Sequence, residues 1–173
     1  MTSVTNNSAG PVFVRFTAVS QPSPDTAVKE ASNGGLELNV RYTDLEDITV
    51  DPAEMVQGDE FTAVITVANC SATGNFSNLA LTYLIPSGWE IINDRLTGTE
   101  ENDGRYDRLD IRDDRVLLYF DLPMNTYKKF RIRLRAAYEG DYILPSASCE
   151  CMYDRSVNAC TASERCKVTR LGE

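Results

Sequence analysis

The 173-residue sequence contains no histidine. Histidine is the commonest general base in enzymes and the commonest zinc ligand, so its absence excludes Ser-His and Cys-His nucleophile pairs within this chain. The sequence also lacks a Gly-rich phosphate loop. Any catalysis here would depend on carboxylates, lysine or tyrosine, and we expect a non-enzymatic chain that binds no cofactor.

Long apolar runs are missing as well. No stretch approaches the roughly 18 apolar residues that a membrane-spanning helix needs. The N-terminal MTSVTNNSAG has neither the cationic start nor the apolar core of a signal peptide. The net charge of −9 and the pI near 4.6 oppose binding to nucleic acid or to an anionic membrane, so we expect neither as a partner.

The dominant pattern that is present is alternation of apolar and polar residues with a period of two. It runs through GLELNVRYTD, EFTAVITVANC and KKFRIRLRAA. The segment RLDIRDDRVLLYF predicts a hairpin that turns at Asp113-Asp114, and KKFRIRLRAAYEGDYILP predicts another that turns at Glu139-Gly140. Strands of this length joined by short turns predict an all-β fold, an antiparallel immunoglobulin-like β-sandwich.

The first 34 residues have a different character. PVFVRFTAV (residues 11–19) predicts a strand, and the following SQPSPDTAVKEASNGG has the Pro, Ser and Gly content of a linker. A lone strand is not a domain. We therefore expect residues 1–34 to contain the terminal strand of a preceding domain plus a linker, and residues 35–173 to form the sandwich domain.

One predicted strand carries basic residues at every second position, namely Lys129, Arg131, Arg133 and Arg135. The residues between them are apolar, so the basic side chains share one face. We interpret this face as solvated and paired with acids on neighbouring strands. A docking stripe for a partner is the alternative.

Four of the five cysteines lie close together near the C-terminus: Cys149, Cys151, Cys160 and Cys166. Structural zinc sites use Cys-x2-4-Cys turns that curl around the ion, and the Cys-x-Cys and Cys-x5-Cys spacings here fit poorly, so we expect no metal. A catalytic thiol would lack a base. A disulfide in an oxidising compartment and simple burial as small apolar side chains both fit, and Cys70 is the cysteine left over.

The segment GDYILPSASCECMYDRSVNACTASERCKV resembles the end of the last macroglobulin-like domain of bacterial alpha-2-macroglobulins. That domain has a Gly-x-Tyr/Phe-x-Leu-Pro strand, a Glu-x-Met-Tyr-Asp segment and a closing strand. The matching residues are Gly140, Tyr142, Leu144, Pro145, Glu150, Met152, Tyr153 and Asp154, with Val168 in the closing strand. GLELNVRYTDLEDITVDPAEMVQGDEFTAVITVAN resembles the domain's opening and LIPSGWEIINDRL its Pro-Ser-Gly turn, so the resemblance covers about residues 35 to 170. Cysteine at 70, 151, 160 and 166 departs from the family pattern.

This resemblance implies a large envelope-associated protease trap, in which a protease cuts a bait region and an internal Cys-Gln thioester captures it. The thioester motif Cys-x-Glu-Gln is absent from this chain, so Cys149 and Cys151 are not thioester residues. In relatives that carry a thioester, the last domain shields it with an aromatic side chain. At the matching position this residue is Tyr153, with Met152 and Asp154 beside it.

The resemblance thus implies a non-catalytic domain that packs against the thioester-carrying domain of a periplasmic, cell-envelope or extracellular parent. It would meet target proteases only through that parent. Water exclusion preserves a thioester, and a tyrosine supplies a large apolar ring with one polar tip. The alternative for Tyr153 is that it packs against or caps the sandwich, while Asp154 opens a turn.

Two other classes of function remain as alternatives. A free-standing β-sandwich binding or adhesion module would present exposed aromatic residues in a row, for which Trp89, Tyr119 and Tyr127 are the candidates. A hydrolase would use paired carboxylates, and the nearest pairs are at 113–114 and 100–101. Adjacent carboxylates in an acidic turn are usually solvated charge.

Overall fold

The structure is a computed structural model that describes residues 5–8, 10–15, 17, 32–71, 74–92 and 106–170. Within these ranges the chain contains strands, one 3-10 turn at Pro52–Glu54 and no helix long and apolar enough to cross a membrane. The strands are β1 Ser32–Gly34, β2 Leu36–Thr43, β3 Met55–Val56, β4 Glu60–Asn69, β5 Phe76–Leu84, β6 Trp89–Ile91, β7 Arg108–Ile111, β8 Arg115–Leu122, β9 Tyr127–Ala136, β10 Gly140–Leu144, β11 Ser148–Cys151, β12 Asn158–Cys160 and β13 Glu164–Thr169.

These strands form three sheets in the described residues. The largest has the order β1-β12-β11-β5-β8-β7, the second β2-β4-β9-β6, and the smallest β10-β13-β3. Neighbouring strands run antiparallel except β13 and β3, which are parallel. The prediction of an all-β, antiparallel immunoglobulin-like sandwich is confirmed.

Period-two alternation sorts the strand residues between core and solvent. In β9, Phe130, Ile132 and Leu134 are buried, and the basic residues between them are not. The Phe130 ring contacts the ring of Phe120 in β8, with centroids 5.0 Å apart. This contact joins the four-stranded sheet to the six-stranded one.

A second aromatic cluster is also buried in the core. The Trp89 ring centroid is 4.8 Å from that of Phe61 and 5.4 Å from that of Tyr42, in edge-to-face arrangements that suit aromatic quadrupoles. The Tyr83 hydroxyl donates a hydrogen bond to the Tyr42 hydroxyl at 3.2 Å. Burial raises the pKa of Tyr83 and Tyr42 above the ordinary range, so both hydroxyls remain protonated.

The two predicted hairpins have different outcomes. The turn at Asp113-Asp114 is confirmed, since β7 pairs with β8 across it. The hairpin predicted at Glu139-Gly140 is wrong, because β9 pairs with β4 and β6 while β10 pairs with β13. With both edges of β9 occupied, the chain must leave that sheet. The Gly88 carbonyl accepts the backbone N–H groups of Ala137 and Tyr138 as it does so.

The described residues of the N-terminal strand predicted over 11–19 belong to none of these sheets. Residues 11–15 and 17 carry no strand pairing, and Phe13 is 95% exposed. Residues 16, 18 and 19 lie outside the described part of the chain. Within the predicted linker, by contrast, Ser32–Gly34 forms β1 and pairs with β12.

The segment from β10 to β13 forms one long hairpin with a break in its middle. The root, β10 with β13, belongs to the three-stranded sheet, and the outer half, β11 with β12, to the six-stranded sheet. At the break, the Ala147 carbonyl accepts the Thr161 N–H at 2.9 Å. Residues 152–157 connect β11 to β12 and are called the tip turn below. The sequence predicts strands over 142–145 and 160–168 and, from its Asp, Arg, Ser and Asn residues, a turn over 152–158 between them, and the structure confirms this arrangement.

Candidate interdomain contact site at the tip turn

The tip turn presents the three residues that the resemblance singled out. Tyr153 is 82% exposed and Met152 is 48% exposed, and Asp154 is also exposed. The interpretation that Tyr153 packs against the sandwich is therefore wrong. The accompanying expectation that Asp154 opens a turn is confirmed by its hydrogen bonds.

Asp154 organises the second half of the turn. One carboxylate oxygen, Oδ1, accepts hydrogen bonds from the Ser156 N–H at 3.0 Å and from the Ser156 hydroxyl at 2.6 Å. The Asp154 carbonyl accepts the Val157 N–H at 3.1 Å. Side-chain carboxylates that bind their own backbone two residues on are a common way to fix a turn. These two donors hold the pKa of the Asp154 carboxyl below its ordinary 3.8.

The base of the turn is held by the neighbouring strand β5. The Met152 N–H donates to the Asn78 carbonyl at 3.1 Å, and the Cys151 thiol to the Ser77 carbonyl at 3.3 Å. The Cys151 N–H donates to the Val157 carbonyl at 2.9 Å, which closes the turn. The backbone is thus fixed while the side chains at 152 and 153 project into solvent. Such a surface can bind a partner by contact.

Sequence analysis did not identify the residues outside the turn that hold it in place. Asn78 lies in the left-handed region with φ of 57°, a conformation that asparagine tolerates better than most residues. Gly34 of β1 lies against the turn. A lone asparagine and one glycine of a Gly pair occur in any loop, so neither signals this role in sequence.

The four clustered cysteines and Cys70 are in the reduced thiol form in this structure. Cys149 is opposite the buried Ala159 and faces the core with Cys151, whereas Cys160 is opposite Ser148 on the outer face. Residues two apart in one strand are separated by about 6.6 Å, which exceeds the Cβ spacing of a disulfide. No pair among Cys149, Cys151 and Cys160 therefore has disulfide geometry, and a disulfide that involves Cys166 stays a prediction.

The buried thiols are poor nucleophiles. Burial raises the pKa of Cys149 to about 12 and that of Cys166 to about 11. In the described ranges, no group of three or more Cys, Asp or Glu side chains is arranged to hold a metal ion. The cysteine stretch thus contributes packing next to the tip turn, with Cys149 wholly buried.

The basic face of β9 has acidic partners. Arg131 contacts Asp47 at 2.7 Å, and Glu60 on the adjacent β4 contacts Arg133 at 3.0 Å and Arg135 at 2.5 Å. The hydrogen bonds from these guanidinium groups hold the pKa of Asp47 and of Glu60 below their ordinary values. The interpretation of a solvated, acid-paired face is confirmed for these three arginines.

The alternative sites are not assembled. Trp89 is 3% exposed, Tyr119 is half-buried on β8 of the other sheet, and Tyr127 is 64% exposed at the start of β9. These three residues form no exposed aromatic row, so the binding-module prediction is wrong in this respect.

Of the two carboxylate pairs considered for a hydrolase, the structure describes only Asp113 and Asp114. Asp113 and Asp114 lie in the exposed β7–β8 turn, where Asp114 forms an ion pair with Arg115 at 2.5 Å. Glu100 and Glu101 lie outside the described residues. The described pair is therefore solvated charge, as its place in an acidic turn suggested.

The antiparallel β-sandwich fold, with its C-terminal hairpin divided between two sheets and its exposed tip turn, is that of a macroglobulin-like domain. A profile of the bacterial alpha-2-macroglobulin MG10 domain matches residues 35–155. The chain belongs to this family.

Curated relatives agree with this assignment. The chain is 30% identical to the alpha-2-macroglobulin of Pasteurella multocida (strain Pm70) over 165 residues, which cover 94% of the chain and 8% of that protein. It is 26% identical to an alpha-2-macroglobulin homolog of Yersinia pestis over 154 residues, or 76% of the chain and 8% of that protein. The chain thus spans about 8% of the length of these relatives.

Solved structures show the same fold. A Salmonella alpha-2-macroglobulin reacted with methylamine has a TM-score of 0.71 at 22% identity. The match covers 81% of this chain and 10% of the Salmonella chain. A tyrosine-to-glycine mutant of that protein gives the same values. A native Escherichia coli alpha-2-macroglobulin spanning domain MG7 to the C-terminus has a TM-score of 0.71 at 19% identity, with 80% of this chain and 24% of that chain covered.

Proposed function

We propose that this domain is a non-catalytic interaction domain of a bacterial alpha-2-macroglobulin-like protease inhibitor, and that its tip turn shields the thioester-carrying domain of the parent. The observation that carries the proposal is the 82% exposure of Tyr153 on a turn whose backbone is held by hydrogen bonds. A large aromatic side chain on a rigid support loses little conformational entropy when a partner covers it. Aromatic and Met side chains are also enriched at protein interfaces.

The chemistry of the tip suits a cover over a water-sensitive bond. The Tyr153 ring is large and apolar and its hydroxyl needs only one partner, while Met152 adapts to irregular surfaces. Exclusion of water protects reactive intermediates from hydrolysis. The Salmonella relative was solved after reaction with methylamine, and amines attack thioesters, which supports a thioester in proteins of this kind.

The remaining parts of the proposal concern the parent protein: its location, its target proteases and the domain that precedes this one. The parent acts in the periplasm, the cell envelope or outside the cell, and this domain meets target proteases only through it. Of residues 1–34, the part ahead of β1 comprises the terminal strand of the preceding domain plus a linker. The exposure of Val12, Phe13 and Val14 supports this, since three successive apolar residues in an unpaired segment need a partner.

The proposal is tested in a thioester-containing parent that carries this domain. Tyr153→Ala should speed reaction of the thioester with methylamine, measured as release of the cysteine thiol. Tyr138→Ala is the matched control, because Tyr138 is 58% exposed and follows the end of β9 at the opposite end of the sandwich. Equal rates for the two variants would contradict shielding by Tyr153.

A simpler experiment tests the non-catalytic part. The isolated chain should inhibit no protease and should consume no methylamine, because it lacks the Cys-x-Glu-Gln motif. Stoichiometric inhibition of a protease by this chain alone would contradict the assignment.

A further inference from the structure

We infer that Gly34, in the short strand β1, is a positioning residue for the tip turn, so that the pairing of β1 with β12 controls how firmly Tyr153 is held. This inference rests on the proposed function of the tip turn and adds a means of regulating it. Four sets of contacts carry the argument: the strand pairing, the approach of Gly34 to the turn, the hydrogen bond of Asn158, and the connection to β2.

The strand pairing places β1 directly beside the hairpin. Among the described residues, β1 is an edge strand of the six-stranded sheet with β12 as its one neighbour. The register pairs Ser32 with Cys160 and Gly34 with Asn158. β12 is the return strand of the tip turn and is only three residues long, so β1 provides one of its two strand neighbours. A three-residue strand bonded on one side alone would be held much less firmly.

Gly34 also contacts the turn itself. A Cβ atom built at Gly34 would lie 2.2 Å from the Ser156 carbonyl oxygen and 3.1 Å from Asn158 Nδ2. Backbone oxygen and carbon atoms do not approach to 2.2 Å in packed proteins, since this is far inside their van der Waals contact. The φ of Gly34 is not in the left-handed region. Glycine is therefore required here for space rather than for backbone conformation.

Asn158 connects the same contact to the middle of the turn. Its side-chain Nδ2 donates a hydrogen bond to the Arg155 carbonyl at 2.9 Å. One continuous set of contacts thus joins Gly34 and Asn158 to Arg155 and Ser156 in the tip turn. Any shift of β1 relative to β12 must move this set or break it.

Gly35 sets the direction of the chain between β1 and β2. Its φ of 84° turns the chain from β1 into β2, and it bridges to Asn158. Separation of β1 from β12 would expose the β12 edge and remove the contact between Gly34 and the Ser156 carbonyl. The tip turn would then keep only its internal hydrogen bonds and the support that β5 gives to its base, so Tyr153 would be held less firmly.

Hydrogen exchange in the 173-residue chain tests the coupling directly. Gly34→Ala should speed amide exchange in residues 154–160 by about tenfold or more, while β4 and β9 keep their protection. Gly10→Ala is the matched control, because a Cβ there meets no heavy atom within 4 Å. Unchanged exchange in the tip turn overturns the inference. So does equal acceleration in β4 and β9, which would show that Gly34 supports the whole fold.

The thioester-containing parent separates this inference from the proposed function. If Tyr153→Ala and Gly34→Ala both speed the methylamine reaction, both stand. If Tyr153→Ala speeds it and Gly34→Ala does not, the regulation is overturned and the shielding remains. If Tyr153→Ala has no effect, the shielding is overturned, and the regulatory role of Gly34 falls with it, whatever hydrogen exchange shows.

Discussion

Replacement of Tyr153 by alanine should leave the stability of this domain almost unchanged. The residue is 82% exposed, so only about a fifth of its surface is buried against the rest of the domain and is lost in the substitution. For a side chain of about 200 Å², this is roughly 40 Å², worth about 1 kcal/mol at ~25 cal/mol per Å². A loss of that size lowers the Tm of a domain of this length by about 2–4 °C at most.

Tyr83→Ala is the matched control, because it makes the same substitution in the core. Tyr83 is 1% exposed and its hydroxyl bonds to that of Tyr42 at 3.2 Å. Loss of a buried aromatic side chain costs about 3–5 kcal/mol. The Tm should therefore fall by about 6–20 °C, several times the shift expected for Tyr153→Ala.

Thermal and denaturant unfolding of the 173-residue chain measures both variants. Trp89 is the only tryptophan and is 3% exposed, so its fluorescence reports loss of the core. If Tyr153→Ala costs about 3 kcal/mol, the ring belongs to the core and the shielding role is refuted. Similar losses for the two variants would lead to the same conclusion.

Three further predictions follow from particular contacts. Gly88→Ala should destabilise the domain by about 1–3 kcal/mol in urea unfolding, because its Cβ would lie 2.2 Å from the Tyr142 ring; an unchanged midpoint would contradict this packing. Asp154 should titrate below pH 3.8 by NMR, so its stabilisation of the tip turn is present above about pH 4 and is lost as the pH falls through the lowered pKa; a midpoint above 3.8 would show that its hydrogen bonds are absent in solution. Cys149 and Cys166 should resist alkylation in the native state at pH 7 and become reactive on unfolding, because their pKa values are raised to about 12 and about 11; a count below five free thiols in denaturant without reductant would instead reveal a disulfide.

Strand content was predictable because alternation is a local property. In β9, basic residues at every second position alternate with apolar residues, so only the apolar face can pack against a core. The structure shows that orientation. The turn at Asp113-Asp114 was predictable for the same reason, since its two strands are neighbours in sequence and in the sheet. The partner of β10 was not, because a strand's edges are filled by segments from anywhere in the chain. β9 already had β4 and β6 on its two sides.

The sequence by itself determined that this chain is an all-β sandwich with no histidine chemistry, and that Met152, Tyr153 and Asp154 lie in a turn between two strands. Tertiary structure decided that Tyr153 projects into solvent, because exposure depends on what packs over a residue and not on its neighbours in sequence. It also decided that Cys160 faces away from Cys149, since strand register sets the face of each side chain. The close approach of Gly34 to the tip turn is likewise tertiary, because it joins residues more than a hundred positions apart that meet only when β1 adds to the sheet edge.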